Sequence, residues 1–123
     1  MLKKLFIIFV LLFLVSAKGM AADKWSTQDV ALEITWQVLH SLIDWPQTIH
    51  IAKNPRYHEV NPLIGRHPSV AKVNVWFLTT ALLHPVITHY LPKEYRLPWQ
   101  ALSLTVSSVC VFHNFLIGIK IDF

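Results

Sequence analysis

Two long runs without a charged residue, Val73 to Pro92 (20 residues) and Leu97 to Ile119 (23 residues), constrain this chain more than any other feature. At 1.5 Å of rise per helical residue, each spans about 30 Å or slightly more, which is the thickness of a bilayer's hydrocarbon core. Both are expected to be transmembrane helices. The eighteen Asp, Glu, Lys and Arg residues collect elsewhere: six in residues 1–29, five in 53–72, three in 93–96 and two after 119. Only Glu33 and Asp44 remain, inside a further apolar stretch. Disorder is excluded, because it needs low hydrophobicity and high net charge, whereas 54% of this chain is hydrophobic and its net charge is +4. With 123 residues, one domain is the ceiling. The single cysteine, Cys110, rules out an internal disulfide and a thiolate metal cluster.

The amino-terminal residues read as a secretory signal. Lys3 and Lys4 form a short basic region, Leu5 to Val15 is an apolar core too short for a comfortable span, and small residues follow from Ser16 to Ala22. Cleavage fits after Ala17 or after Ala21, and the second is preferred because Asp23 and Lys24 then open the mature chain. No cysteine lies near either cut, which excludes a lipoprotein. The alternative is an uncleaved signal anchor. Residues 1–21 are thus a signal peptide or anchor, and residues 22–123 an integral membrane domain with helices at about 27–52, 70–91 and 97–119.

The first of these helices is the ambiguous one. Ser26 and Asp29 resemble a capping box, and Leu32, Trp36, Leu39 and Ile43 recur at helical spacing. Glu33, Gln37, His40 and Asp44 form a polar stripe beside them. A soluble amphipathic helix has the same pattern, but the neighbouring spans favour a third crossing with Pro46 as a kink. Glu33 is then expected near the outer interface and Asp44 deep. The expected fold class is all-α: a small transmembrane bundle of three spans, or four if the signal stays attached. Loop 53–72 carries Lys53, Arg56, Arg66 and Lys72, against Lys93 and Arg96 in the short loop 92–96. The positive-inside rule therefore places loop 53–72 and the C-terminus in the cytoplasm of a bacterium, with the protein in the inner membrane.

Polar stripes run along the other two spans as well. Thr80, His84 and Thr88 are spaced by four, with Pro85 freeing the carbonyl of Ala81. Gln100, Ser103, Ser107, Cys110, Asn114 and Gly118 form a continuous small and polar face. Small residues let helices approach closely in lipid, so these stripes are expected to face one another, with Leu, Ile, Val, Phe and Trp turned outward. Ionisable residues inside a bilayer are costly unless paired and usually mark a site. The candidate intramembrane site is therefore Glu33, His40, Asp44, Gln47, Thr48, His84, His113 and Asn114.

Residues 40–123 carry a recognisable pattern: Asp44-Trp45-Pro46-Gln47-Thr48, then Glu59-Val60-Asn61-Pro62-Leu63-Ile64-Gly65-Arg66-His67-Pro68-Ser69, then His84, then His113-Asn114. It resembles a family of small bacterial and phage-associated membrane proteins that share an Asp-x-x-Gln-Thr segment, a Glu-x-Asn-Pro-x-x-Gly-x-x-Pro-Ser loop, a mid-helix His and a terminal His-Asn. The resemblance implies a polytopic membrane fold and no particular reaction. In the loop, Asn61-Pro62 is a turn signal, Gly65 allows positive φ and Ser69 suits a helix cap. Glu59 and Asn61 are explained fully by neither charge bias nor turn chemistry, which makes Glu59, Asn61 and Gly65 a candidate loop site.

Seven histidines raise metal binding, with His40, His84 and His113 as one imidazole per helix. No pair of histidines has the i, i+4 spacing, and His58-Glu59 lacks the rest of the zinc-protease motif because position 62 is proline. No metal and no cofactor is expected. Ser103, Ser107 and Cys110 near His113 lack an evident oxyanion hole, and the only glycines beyond the signal region are Gly65 and Gly118, too few for a phosphate loop. The basic residues flank the spans and form no long face, so nucleic acid is not an expected partner; the lipid bilayer is, and other membrane proteins are candidates. Two functions fit: a non-enzymatic accessory or assembly factor that binds lipid or partner helices, and a small membrane enzyme or proton or ion carrier built on Asp44, Gln47, His84, His113 and Asn114.

Overall fold

A computed structural model describes residues 23–122, so the expected signal sequence lies outside the described residues. The described chain is all-helical. It comprises α1 (Thr27–Val38), a π-helical turn (Leu39–Asp44), α2 (Trp45–Lys53), α3 (Val70–Tyr90) and α4 (Lys93–Leu116). α1, the π turn and α2 form one interrupted rod, α3 returns beside it, and α4 runs back alongside both. This is a three-helix bundle with Arg96 at one end and the loop 54–69 at the other.

Local chemistry sets the ends of these helices. The capping box of α1 is complete: Asp29 N–H donates to Ser26 Oγ (3.0 Å) and Ser26 N–H to Asp29 Oδ2 (2.8 Å). Ser69 caps α3 through Lys72 N–H (3.2 Å). The kink at Pro46 takes the form of the π turn. Trp45 N–H reaches back five residues to His40 O, and Pro46, which has no N–H to return, follows at once. Only Leu91 and Pro92 separate α3 from α4, so the expected external loop 92–96 is mostly the first turn of α4.

The interior is polar and the exterior apolar. Gln47, Thr88, Arg96 and Gln100 are essentially fully buried, while outward positions on α1, α3 and α4 carry residues such as Ile34, Leu82, Val106 and Leu116, the last 70% exposed. The stripes read from the sequence face inward, except Gly118, which lies past the end of α4 and is exposed. Trp36, Val73, Phe77 and Val111 join them and are buried, which corrects the expectation that the large apolar residues all face out. The stripes are narrower than the contact between helices, and the flanking rings and branched side chains fill the remaining space. α3 is long and apolar enough to cross a membrane. α4 is longer, but Gln100, His113 and Asn114 lower its mean hydropathy, as Glu33 and Asp44 do for the first rod.

Candidate functional site

At one end of the bundle, Arg96 is completely buried and each of its five N–H groups has an acceptor. Nε donates to Leu91 O (3.1 Å), NH1 to Lys24 O (3.1 Å) and Asp29 Oδ2 (3.4 Å), and NH2 to Asp23 O (2.7 Å) and His89 O (3.1 Å). One guanidinium thereby joins the segment entering α1, the end of α3 and the start of α4. Burial opposes ionisation of Asp29, yet the bonds from Ser26 and the adjacent Arg96 hold its carboxyl below the ordinary range. The sequence places Arg96 among loop cations; the structure makes it an internal tie.

One turn deeper lies the Glu33–His84 pair. His84 Nδ1–H donates to both Glu33 oxygens, each at 2.9 Å. Around them, Gln37 Nε2 donates to Glu33 Oε1 (3.2 Å), the Thr88 hydroxyl lies 3.1 Å from Glu33 Oε2, and Trp99 Nε1–H donates to Thr88 Oγ1 (3.1 Å). Gln100 Nε2 donates to Asp29 O (2.9 Å) and lies 3.5 Å from Glu33 Oε2. Ionised carboxylates are tolerated in a low-dielectric interior only with such partners. His84 stacks with Trp99 (ring centroids 4.9 Å) and with Trp36 (3.7 Å), and Trp36 also stacks with His40 (4.3 Å). Both imidazoles are too near Trp36 to share one of its faces, so the indole lies between them. Phe77 covers His40 in turn (4.7 Å). The Thr80 hydroxyl already donates to backbone carbonyls, so His40 Nε2–H donates to Thr80 Oγ1 (2.8 Å).

At the loop end, Asp44, Glu59, His113 and Asn114 come together. With Thr48, Asn61, Cys110 and the rings of Trp76 and Phe77 they line a cavity of about 240 Å³. A second cavity of about 260 Å³ shares Glu59, Val60, His113 and Asn114 with the first and adds Arg56, Tyr57 and His58. Glu59 is only 9% exposed and accepts one bond, from Asn61 N–H to Oε1 (2.8 Å). Among the described residues Asp44 accepts none, and neither carboxylate has an ion-pair partner. Asn61 Oδ1 in turn accepts from Leu63 N–H (2.9 Å), Glu59 N–H donates to Arg66 O (2.8 Å), and Gly65 has φ +85°. Turn chemistry thus accounts for Asn61 and Gly65, and it aims Glu59 at the cavity.

The structure divides the site expected from sequence in two. Glu33, His40 and His84 belong to the inner polar core near Arg96, whereas Asp44, Thr48, His113, Asn114, Glu59 and Asn61 line the loop-end cavity. Gln47 lies behind that cavity, its Oε1 accepting from Asn114 Nδ2 (3.2 Å). The single shared site of Asp44, Gln47, His84, His113 and Asn114 is therefore corrected. Helical repeats place residues on faces but do not say at which height the facing helices meet. His40, His84 and His113 do not converge, and among the described residues no three His, Cys, Asp or Glu side chains are grouped to hold a metal ion. Ser103 Oγ donates to Trp99 O (2.9 Å), a packing bond. A larger groove of about 460 Å³ lies between the first rod and α3, but its walls are mainly apolar, and Trp45 Nε1 and Asn74 Oδ1 satisfy each other there (2.8 Å). No protein-family model matches this chain, and neither does any curated protein or solved structure.

Proposed function

We propose that this chain is a non-enzymatic accessory protein of the bacterial cytoplasmic membrane, with three spans after its signal sequence, that holds a small polar ligand in the cavity at its loop end. The observation that carries the reading is the pair Asp44 and Glu59. Two carboxylates without a cationic partner among the described residues line one cavity in a bundle whose exterior is apolar. Ionisable groups in a low-dielectric setting are costly and mark a site by default. The spans are residues 30–52, 73–91 and 97–119, with loop 53–72 and the C-terminus cytoplasmic. The resemblance of residues 40–123 to small phage-associated membrane proteins is in keeping with this placement.

Cys110 lines the cavity without a hydrogen bond to His113 among the described residues, so a thiol nucleophile with its base is not what the geometry favours. Two measurements test the reading. A cytoplasm-active reporter fused after Gly65 works and one fused after Glu94 does not; the reverse overturns the orientation. Native mass spectrometry of gently extracted protein shows a bound small molecule that Asp44→Ala loses while keeping its helical circular dichroism. A parent protein with nothing bound overturns the ligand reading.

A further inference from the structure

The two loop-end cavities are neighbours of opposite character. The first presents Asp44 and Glu59 with the hydroxyl or amide oxygens of Thr48, Asn61 and Asn114, and aromatic rings from Trp76 and Phe77. The second presents Arg56, Tyr57 and His58. They share Glu59, Val60, His113 and Asn114, so a molecule in one reaches into the other. Resting on the reading that the cavity holds a ligand, we infer that the pair takes a zwitterion carrying an ammonium and a phosphate, the headgroup chemistry of an ethanolamine phospholipid.

An ammonium group has three N–H donors and needs oxygen acceptors around it, which two carboxylates and a neighbouring hydroxyl or amide oxygen provide. Aromatic faces add cation–π attraction. A bare metal ion needs a closer ligand set, and no group of three His, Cys, Asp or Glu is placed to hold one among the described residues. Glu59 is nine-tenths buried against this cavity, and among the described residues its Oε1 accepts from Asn61 N–H while its Oε2 has no donor. In the adjoining cavity, Arg56 has no ion-pair partner among the described residues, and a guanidinium fork fits phosphate oxygens in pairs.

The cavity also opens where a lipid lies. Val60 and Val109 line it and are 67% and 63% exposed, and Phe112 and Leu116 continue the apolar surface of α4 beside it. A headgroup seated between Asp44 and Arg56 leaves its acyl chains against that surface.

The test uses the full chain, delipidated in detergent, with native mass spectrometry as the readout. Offered equal amounts of phosphatidylethanolamine and phosphatidylglycerol, the parent retains the ethanolamine lipid at least ten-fold better. The double variant Asp44→Asn, Glu59→Gln loses that preference. Arg56→Gln, on an exposed side chain with no ion pair, keeps the fold and weakens retention of the ethanolamine lipid several-fold. Soluble phosphoethanolamine is the second arm, read as protection of Cys110 from maleimide. If it protects as well as the lipid does, the zwitterion stands with a free source; if only the lipid protects, the zwitterion stands with a membrane source. Equal retention of the two lipids by the parent, or an unchanged preference in the double variant, overturns the inference. A bound species that Asp44→Ala releases and that carries no amine also overturns it, while leaving the ligand reading of the cavity intact.

Discussion

Gln37 donates its side-chain amide to the carbonyl of Ala81 at 2.8 Å, and Ala81 is the residue whose helical partner Pro85 removes. The bond crosses from α1 to α3 and satisfies a carbonyl that Pro85 leaves without its helical donor. Gln37→Ala is expected to lower stability in detergent by about 1–3 kcal/mol, the cost of leaving a buried polar group without a partner. In a Pro85→Ala background the same change costs less, because α3 then recovers its own bond. Thermal melting of the four proteins in a double-mutant cycle measures the difference.

Glu33 and His84 are worth more as a pair than as individuals. Removing either partner alone leaves the other buried and uncompensated, so Glu33→Ala and His84→Ala are each expected to cost about 3–5 kcal/mol. The double variant is expected to be little worse than the poorer single one. Additive losses in the melting curves would show that the two residues do not depend on one another.

Arg96 is expected to reject even lysine. An ammonium has three donors in place of five and no planar fork, so Arg96→Lys leaves carbonyls of the entering segment and of α3 unpaired. The loss is expected to be about 1–3 kcal/mol, and larger for Arg96→Ala. Asp29 adds a pH signature. Its folded pKa lies below the unfolded value of about 3.9, so its contribution is present above that pH and disappears as the pH falls through the folded value. The parent should therefore exceed Asp29→Asn in melting temperature at pH 6, with the gap closing on acidification toward pH 3.

Gly65 stands at φ +85°, where a side chain is strained, although the nearest atom to an added Cβ is Lys72 Nζ at 3.7 Å and steric room remains. Gly65→Ala is expected to cost about 1 kcal/mol through backbone strain alone. Asn61→Ala removes the bond that turns the chain at Leu63 and should loosen the same loop. Faster proteolysis between residues 54 and 69, with the helices intact by circular dichroism, is the result that checks both.

Much of the bundle is legible in the chain itself because it rests on local rules. Charge-free runs, the Ser26–Asp29 capping box, Ser69 before α3 and the recurring polar residues each follow from a spacing of a few positions. The loop-end cavity is legible in part: Asp44, Thr48, Glu59, Asn61, His113 and Asn114 are all singled out, each by its chemistry within an apolar or turn-rich setting. Trp36 and Arg96 are not. Trp36 belongs to an apolar repeat that reads as lipid-facing, and Arg96 to a charged cluster that reads as a loop. The one signal within reach is that Asp29 and Arg96 carry opposite charges close to the N-terminal ends of their helices.

The sequence alone determines the helices, their polar inward faces and the apolar surface around them, since hydrophobic periodicity and capping act within a turn or two. Which polar groups meet is decided by how the helices stack in height, and that depends on the two-residue link Leu91–Pro92, the π turn before Pro46 and the rings that fill the gaps. His84 pairs with Glu33 and not with His113 because α3 and the first rod bring them to the same level. Asp44 is left facing Glu59 because loop 54–69 folds back over the other end of the bundle.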